Sequence, residues 1–216
     1  MYAPALYAQP APTLSPVEIA FTNSPAAGSE LKTALRVRSA NLNVLEGEPA
    51  SISGSLRSEP QSAPLGGRTV QLQALGRRGW RQLASARTGG NGAFKLRYVA
   101  RQLGSEAVRL RFAGDRSDLA ARHRLGRLTN YRLAEASWYG GGGPLACGGW
   151  LTSSTLGVAN KTLPCGTMIT LRYEGRSLRV PVIDRGPFVA GREFDLTRAT
   201  KETLGFGDLG QVWSTG

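Results

Sequence analysis

Hydrophobic and polar residues alternate along most of the region 31–118. The alternation is clearest in the segments 70–74, 94–98 and 108–112, where every second residue is apolar. Turn signals such as Asn91-Gly92 separate these segments at intervals of about ten residues. Short period-2 segments with frequent turns are typical of β-strands in a small sandwich. The pattern therefore predicts a β-sandwich over residues 31–118.

The order of motifs within this region resembles bacterial immunoglobulin-like repeats. A Gly-x-x-Val-x-Leu-x-Ala strand is followed by a strand with Trp80, and then by Asn-Gly-x-Phe ending at Phe94. The resemblance implies an immunoglobulin-like β-sandwich that acts as a spacer or a binding module. We expect the side chains of Trp80 and Phe94 to lie in its core.

The pattern changes after residue 134. Short apolar strands alternate with glycine-rich turns, and a single helix is predicted over Thr197–Leu204, capped by Thr197 and stopped by Gly205. These elements predict a compact barrel over 135–216. The whole chain is thus predicted to be all-β. The remaining two segments are an Ala- and Pro-rich flexible arm over 1–30 and an Arg-rich linker over 119–134.

Charge is distributed unevenly along the 216 residues. The chain has 27 basic and 15 acidic residues, and the segment 31–118 contains 15 of the basic and 6 of the acidic ones. Such a basic region favours an anionic partner, either nucleic acid, anionic lipid or an anionic wall polymer. The alternative is that these arginines are ordinary solvent-exposed residues on strand faces and bind no partner. If the region binds anionic wall polymers, we expect neutralisation of Arg77, Arg78 and Arg81 to abolish that binding.

Cys147 and Cys165 are the only cysteines in the sequence. As a pair they would close a short loop and indicate an oxidising compartment; the alternative is two reduced cysteines. Together with the distant His123 they are too few for a zinc site, so no metal is predicted. No apolar run approaches 18 residues, so no transmembrane segment is predicted. Residues 1–16 lack a basic residue and are interrupted by prolines, which leads us to expect a start further upstream or a processed mature form.

Residues 182–197 contain the highest density of side chains that could take part in catalysis. Asp184 ends an apolar strand and enters an Arg-Gly-Pro turn, while Asp195 lies between Phe194 and Leu196. Paired carboxylates across a groove are the usual equipment for cleaving glycosidic bonds. Equally, Asp184 could hydrogen-bond within its own turn, and Asp195 could cap the helix or pair with Arg185 or Arg192.

Three segments of the C-terminal region resemble the rare-lipoprotein-A-like double-psi β-barrel family: ASWYG, LGVANKTLPCGT and PVIDRGPFVAGREFDLT. The FDL triplet is also similar to expansins. The resemblance implies a six-stranded double-psi β-barrel, a secreted or cell-envelope location, and action on peptidoglycan glycan strands stripped of stem peptides. Enzymatic members are lytic transglycosylases that form 1,6-anhydro ends without a metal or another cofactor.

The resemblance places the site residues one by one. Asp184 matches the family's turn aspartate and is the predicted catalytic acid and base, with Asp195 as the second catalytic residue. The predicted substrate-binding residues are Asn160, Tyr139, Arg185 and Trp138. Cys165 could bridge to Cys147 and hold the glycine-rich loop. Asn160 stands where the family usually has a histidine, and Asn cannot exchange a proton near neutral pH.

Three hypotheses follow. The first is a lytic-transglycosylase-like enzyme of the peptidoglycan. The second is a non-catalytic, expansin-like binder that has lost the barrel histidine. The third, a basic nucleic-acid binder, is disfavoured by the secretion-type cysteines and the wall-type barrel, so no nucleic-acid partner is expected. Anionic wall polymers are predicted as a further partner of the basic domain.

Overall fold

The computed structural model describes residues 30–216; the predicted arm over 1–30 lies almost wholly outside the described residues. This part of the chain contains fifteen strands and one helix. In chain order these are β1 (Lys32–Asn41), β2 (Asn43–Leu45), β3 (Pro49–Glu59), β4 (Thr69–Gly76), β5 (Gly79–Arg87), β6 (Ala93–Val99), β7 (Gly104–Phe112), β8 (Ala121–Tyr139), β9 (Gly143–Pro144), β10 (Trp150–Leu151), β11 (Val158–Ala159), β12 (Met168–Tyr173), β13 (Arg176–Asp184), β14 (Phe194–Thr197), α1 (Arg198–Leu204) and β15 (Leu209–Ser214).

The N-terminal region is a β-sandwich of two sheets, as predicted. One sheet has the strand order β1-β3-β6, and the other consists of β5, β4, β7, the first half of β8, and β2. The alternating residues of β3, β4, β6 and β7 point between the sheets, where Ile52, Leu72, Leu96 and Leu110 are almost fully buried. Burial of these side chains is the main favourable contribution to folding of the sandwich.

The prediction that Trp80 lies in the sandwich core is wrong. Phe94 lies in the sandwich core, but Trp80 is only half-buried on β5 and the guanidinium of Arg109 stacks on its ring at 3.9 Å. Trp80 pairs with exposed Leu75 of β4, so its ring lies on the outer face of the sheet. A register shift makes Leu83 an extra residue of β5, and this bulge interrupts the alternation that would have revealed the face of Trp80.

The C-terminal region is a closed six-stranded barrel. Its strands pair in the cyclic order β8-β14-β11-β13-β12-β15 and back to β8. The β8–β14 and β11–β13 pairs are parallel, and the other four are antiparallel. This ring and the single helix confirm the predicted double-psi β-barrel. Thr197 caps α1 and Gly205 ends it in the left-handed conformation, again as predicted.

Strand β8 occupies most of the segment that was predicted to be an Arg-rich linker. Its residues 121–130 pair with β7 of the sandwich, and its residues 132–137 pair with β15 of the barrel. Separate cores lie on the two sides, one of residues 35–128 and one of residues 134–212. We therefore propose that the two domains divide within β8 rather than at an irregular linker. A register shift opposite Val108 and Arg109 disrupts the alternation of β8, so the sequence did not reveal the strand.

Candidate functional site

A β-bulge at the end of β13 brings the two predicted catalytic aspartates to the same face of the barrel. Val158 pairs with Val182 and Leu196, and all three are fully buried. The next residue, Ala159, pairs with Asp184, so Ile183 is the extra residue on β13. Because one inserted residue reverses the side-chain alternation, Asp184 faces away from the core that contains Val182.

The same row continues onto the next two strands. Ala159 pairs with Asp195 on β14, and Asp195 pairs with Ser137 on β8. Asp184 and Asp195 are therefore separated by two strand spacings, which puts their backbones about 10 Å apart. Phe194 and Leu196, on either side of Asp195, are fully buried, so the strand alternation turns Asp195 outward. The two carboxylates thus lie on one outward face, with small Ala159 between them.

Asp184 is held by backbone donors from two segments. Its Oδ1 accepts hydrogen bonds from the N–H of Ala146 at 2.9 Å and from that of Arg185 at 2.8 Å. The Cys147 N–H donates to the carbonyl of Ile183 at 3.2 Å, so the loop around Ala146 lies directly on the bulge. Neither hydrogen bond to Asp184 uses Oδ2. The carboxylate is oriented, and one oxygen is left for other partners.

Asp195 belongs to a hydrogen-bonded chain of three side chains. The Ser137 hydroxyl donates to Asp195 Oδ1, and Arg192 Nη1 donates to the same hydroxyl at 3.2 Å. Ser137 is buried, so this hydrogen bond is shielded from water. Sequence reasoning missed Ser137, whereas it named Arg192 as a possible partner of Asp195; the structure connects the two through the Ser137 hydroxyl. The alternation of β8, with Ala134 and Ala136 on the core side, was the available signal for Ser137.

Tyr139 faces both carboxylates. Its hydroxyl is buried and has no well-formed hydrogen bond. Burial raises the pKa of the Tyr139 phenol above its usual range, and the negative charges of Asp184 and Asp195 raise it further. The phenol therefore stays protonated, and it is a donor placed between two acceptors. Of the predicted substrate-binding residues, Tyr139 is the one that the structure brings to the aspartates.

The other predicted binding residues have different surroundings. Trp138 lies on the opposite face of β8 from Tyr139; its Nε1 donates to Asp208 Oδ1 at 2.7 Å, and the Lys201 ammonium lies 4.1 Å from its ring centroid. Arg185 turns back to the carbonyls of Asn160 and Leu163, at 3.1 and 3.0 Å from Nη1. Both side chains are thereby committed to contacts within the barrel.

Asn160 is a buried anchor of the loop that follows β11. Its Oδ1 accepts from the N–H groups of Thr162 and Leu163, and its Nδ2 donates to the carbonyl of Glu193 at 2.9 Å. Only 7% of the residue is exposed. The amide satisfies two donors and one acceptor of the backbone at once. Its amide therefore shapes the loop, and the residue also lines a small cavity with Arg192 and Glu193; its predicted role in substrate binding stays a prediction.

A disulfide connects Cys147 and Cys165, as the sequence resemblance implied. The bridge spans 18 positions and joins the loop that donates to Asp184 with the loop that Asn160 anchors. A cross-link of this span stabilises a fold by about 3 kcal/mol, mainly by restricting the unfolded chain. The disulfide thus supports the backbone donor at Ala146.

Two exposed aromatic side chains lie in the two segments that meet at Asp184, and they were not predicted. Phe188 is 84% exposed in the turn that follows Asp184, and Trp150 is 65% exposed on β10, in the same hairpin region as Ala146. A cavity of about 310 Å³ lies along the same hairpin and is lined by Leu151, the neighbour of Trp150, and by Gly140, Gly141, Gly142 and Arg198, among others. Exposed rings next to an open cleft are typical of surfaces that bind sugars, because a ring packs on the apolar face of a pyranose.

Comparisons with known proteins agree with this barrel. The double-psi β-barrel family model described as lytic transglycolase matches residues 133–213. The "Probable endolytic peptidoglycan transglycosylase RlpA" of Aquifex aeolicus is 40% identical over 80 residues, which are 35% of this chain and 35% of that protein. The "Endolytic peptidoglycan transglycosylase RlpA" of Rickettsia bellii is 38% identical over 79 residues, covering 33% and 35%.

The chain thus spans about a third of the length of the curated relatives it matches. Among solved structures, the Streptomyces papain inhibitor is 26% identical and covers 39% of this chain and 91% of its own, with a TM-score of 0.33. The family model, the relatives and the closed ring of six strands all concern the same part of the chain. The C-terminal part of this protein, residues 133–213, is an RlpA-like double-psi β-barrel domain.

Proposed function

We propose that the barrel binds peptidoglycan glycan strands and cleaves them as a lytic transglycosylase, with Asp184 as catalytic acid and base. The observation that carries the proposal is the bulge at Ile183, which turns Asp184 to the face of Asp195 and Tyr139. Bulges next to active sites commonly re-aim a side chain in this way. The names of the matching relatives support the substrate class.

In the proposed reaction, protonated Asp184 gives its proton to the glycosidic oxygen as the bond from that oxygen to the anomeric carbon breaks. The 6-hydroxyl of the same muramic acid then attacks the anomeric carbon and returns its proton to Asp184. The product ends in a 1,6-anhydro ring, no water is consumed, and the enzyme regains its starting protonation. Because Oδ1 is held by Ala146 and Arg185, Oδ2 is the oxygen that exchanges the proton.

Asp195 and Tyr139 assist without exchanging a proton in this scheme. Asp195, fixed by Ser137, supplies negative charge on the face where positive charge develops at the anomeric carbon. The protonated Tyr139 hydroxyl donates to a sugar oxygen or to Asp184 during proton transfer. Phe188 and Trp150 would pack on sugar rings on either side of the scissile bond.

A second candidate function is non-catalytic binding of the same strands. Asn160 favours it, because the side chain is tied to the backbone at the position where the family usually has a proton-exchanging histidine. Loss of a proton-transfer partner typically lowers a rate by about 10²–10⁴-fold. A binder of this kind would keep the aromatic residues and the aspartate face and lack the chemistry.

Product mass distinguishes the two candidates. Purified protein is incubated with denuded glycan strands, and the soluble products are analysed by mass spectrometry. A transglycosylase gives fragments with anhydro ends, each lighter than the corresponding hydrolysed fragment by one water. Hydrolysed ends would contradict the proposed mechanism, and unchanged strands that retain the protein would establish the binder.

The location and partners belong to the same proposal. The disulfide fits an oxidising compartment, and a wall glycan is reached from outside the cytoplasmic membrane, so we propose a secreted or cell-envelope protein. Within the described residues, no helix has the length and apolar character needed to cross a membrane. An anionic wall polymer as a partner of the basic sandwich stays a prediction.

A further inference from the structure

Four arginines form a square on the outer face of the larger sandwich sheet. Arg109 and Arg111 lie two residues apart on β7, and in register they face Arg124 and Arg122 on β8. Neighbouring strands are about 4.8 Å apart, and residues i and i+2 are separated by about 6.7 Å along a strand. Four like charges are therefore fixed on one small, flat surface, which we call the Arg face.

Neutral groups hold two members of the Arg face in place. Arg109 Nε donates to Gln73 Oε1 at 2.9 Å, and its guanidinium stacks on Trp80 at 3.9 Å. Arg111 Nη1 donates to Gln71 Oε1 at 3.5 Å, and Gln73 Nε2 donates to the same oxygen. Because the acceptors are amides, they orient the guanidinium groups without neutralising them.

The ion pairs of the described residues lie elsewhere. They involve Arg68, Arg81, Arg132 and Lys201, and none includes a member of the Arg face. Arg81, which the sequence suggested as a polymer contact, is paired with Glu106 at 2.6 Å. Burial, followed by the charges of Arg122, Arg111 and Arg124, lowers the pKa of Arg109. Mutual repulsion of this kind is relieved when an anion binds.

We infer that the Arg face is a second glycan site, which binds the carboxylates of denuded peptidoglycan strands. The inference rests on the proposed function of the barrel. When a stem peptide is removed from muramic acid, the lactyl group is left with a free carboxylate, so a denuded strand carries one negative charge in each disaccharide. Guanidinium groups bind carboxylates through paired hydrogen bonds, and an extended chain fits an open sheet face.

The disulfide and the barrel favour a wall glycan over nucleic acid as the occupant. Cys147 and Cys165 are bridged, as expected outside the reducing cytosol. The matching relatives are named for peptidoglycan. A site on the sandwich would hold the strand while the barrel acts on another stretch, which raises the local concentration of substrate at Asp184.

Sedimentation with insoluble denuded strands tests the inference. The probe variant is Arg122→Gln with Arg124→Gln, because both side chains are exposed and their removal leaves the Gln71–Gln73 network intact. The matched control, Arg77→Gln with Arg78→Gln, removes the same charge from the β4–β5 turn, where the sequence predicted the polymer contact that the inference moves to the Arg face. We expect the probe variant to bind about tenfold more weakly and the control to stay within about twofold.

Two further ligands test the chemistry. Strands whose carboxylates have been converted to methylamides, and chitin, which has a similar sugar backbone without lactyl groups, should bind wild type and probe variant equally. The inference would be overturned if the probe and control variants lost strand binding equally. It would also be overturned if wild type still bound the amidated strands about tenfold more tightly than the probe variant. Competition by duplex DNA at a lower concentration than denuded strands would overturn it in favour of nucleic acid.

Cleavage is scored separately with Asp184→Asn, which leaves the Arg face unchanged. Arginine-dependent binding without cleavage would reject the transglycosylase proposal and keep the second site. Cleavage with arginine-independent binding would reject the second site and keep the transglycosylase. Equal urea midpoints of the two arginine variants exclude misfolding as the cause of a loss.

Discussion

Ile183 packs over Gly157 so closely that position 157 has no room for a side chain. A Cβ built there would lie 2.6 Å from Ile183 Cγ1. Ile183 is the extra residue of the bulge, and Asp184 follows it directly. Gly157 thus leaves the space into which the side chain of the bulge residue packs, directly before Asp184.

Gly157→Ala is expected to lower cleavage by up to about 10²-fold, because a shift of Ile183 moves Asp184. It should also destabilise the fold by about 1–3 kcal/mol through overpacking. Gly207→Ala is the matched control, since a Cβ at position 207 meets no atom within 4 Å. Adding Ile183→Ala to Gly157→Ala should restore part of the activity. Full activity of Gly157→Ala in strand-cleavage assays would show that the bulge does not position Asp184.

Asn160→Ala should act on stability more than on glycan affinity. The change leaves the N–H groups of Thr162 and Leu163 and the carbonyl of Glu193 without a partner. A fully buried group left unpaired costs about 1–3 kcal/mol, and these groups are partly buried, so the urea midpoint should fall by an amount at or below the lower end of that range for each group. Lys161→Ala, at the exposed neighbouring position, should leave the midpoint unchanged. A normal midpoint with lost strand binding would instead identify Asn160 as a direct sugar contact.

Tyr139 should titrate later than an ordinary tyrosine. Its pKa is raised in the folded protein, so the folded state keeps a proton that the unfolded state loses near pH 10. The resulting stabilisation is complete below that pH and disappears as the pH rises through the folded pKa. Phenolates are counted by absorbance at about 295 nm and about pH 11. Folded wild type and folded Tyr139→Phe should contain equal numbers of phenolates, and wild type should contain one more after both proteins are unfolded in urea. An extra phenolate in the folded wild type would refute the assignment.

Phe188 and Trp150 should contribute to glycan binding at little cost to the fold. Both rings are mostly exposed, so Phe188→Ala and Trp150→Ala remove little buried surface. Each substitution should weaken strand binding by about 0.5–1.5 kcal/mol, the range for a well-packed contact of an aromatic ring. Val99→Ala, an exposed apolar position on the smaller sheet of the sandwich, serves as the control. Binding curves for the three variants that coincide with wild type would exclude an aromatic platform at this site.

Local sequence patterns were sufficient to predict the strands and the helix that depend only on neighbouring residues. The alternation at Val70, Leu72 and Ala74 produced a buried strand face, because side chains of a strand alternate whatever the neighbouring strand is. The helix was predicted at both ends because Thr197 and Gly205 act on the adjacent backbone. The Asp-Arg-Gly-Pro motif was specific enough to identify the barrel and its two aspartates.

Features that depend on pairing partners were not predictable in the same way. The bulge at Ile183 is a register shift in the pairing of β11 with β13. Gly157, on which Ile183 packs, lies 26 positions away in the sequence, so no local pattern connects the two residues. Trp138 and Tyr139 are neighbours in the sequence, but the strand places them on opposite faces, so only Tyr139 reaches the aspartates. The Arg face arises from the register of β7 with β8, in a segment that had been interpreted as a linker.

The most direct test of the account is the rate at which wild type and Asp184→Asn release anhydro-ended fragments from denuded strands. An asparagine keeps the Oδ1 acceptor for Ala146 and Arg185, so the fold and strand binding should persist while proton exchange is lost. Glu202→Gln, an exposed change on α1, is the matched control and should keep the wild-type rate. The account predicts a loss of at least about 10²-fold for Asp184→Asn alone. Anhydro fragments released by Asp184→Asn at the wild-type rate would contradict it.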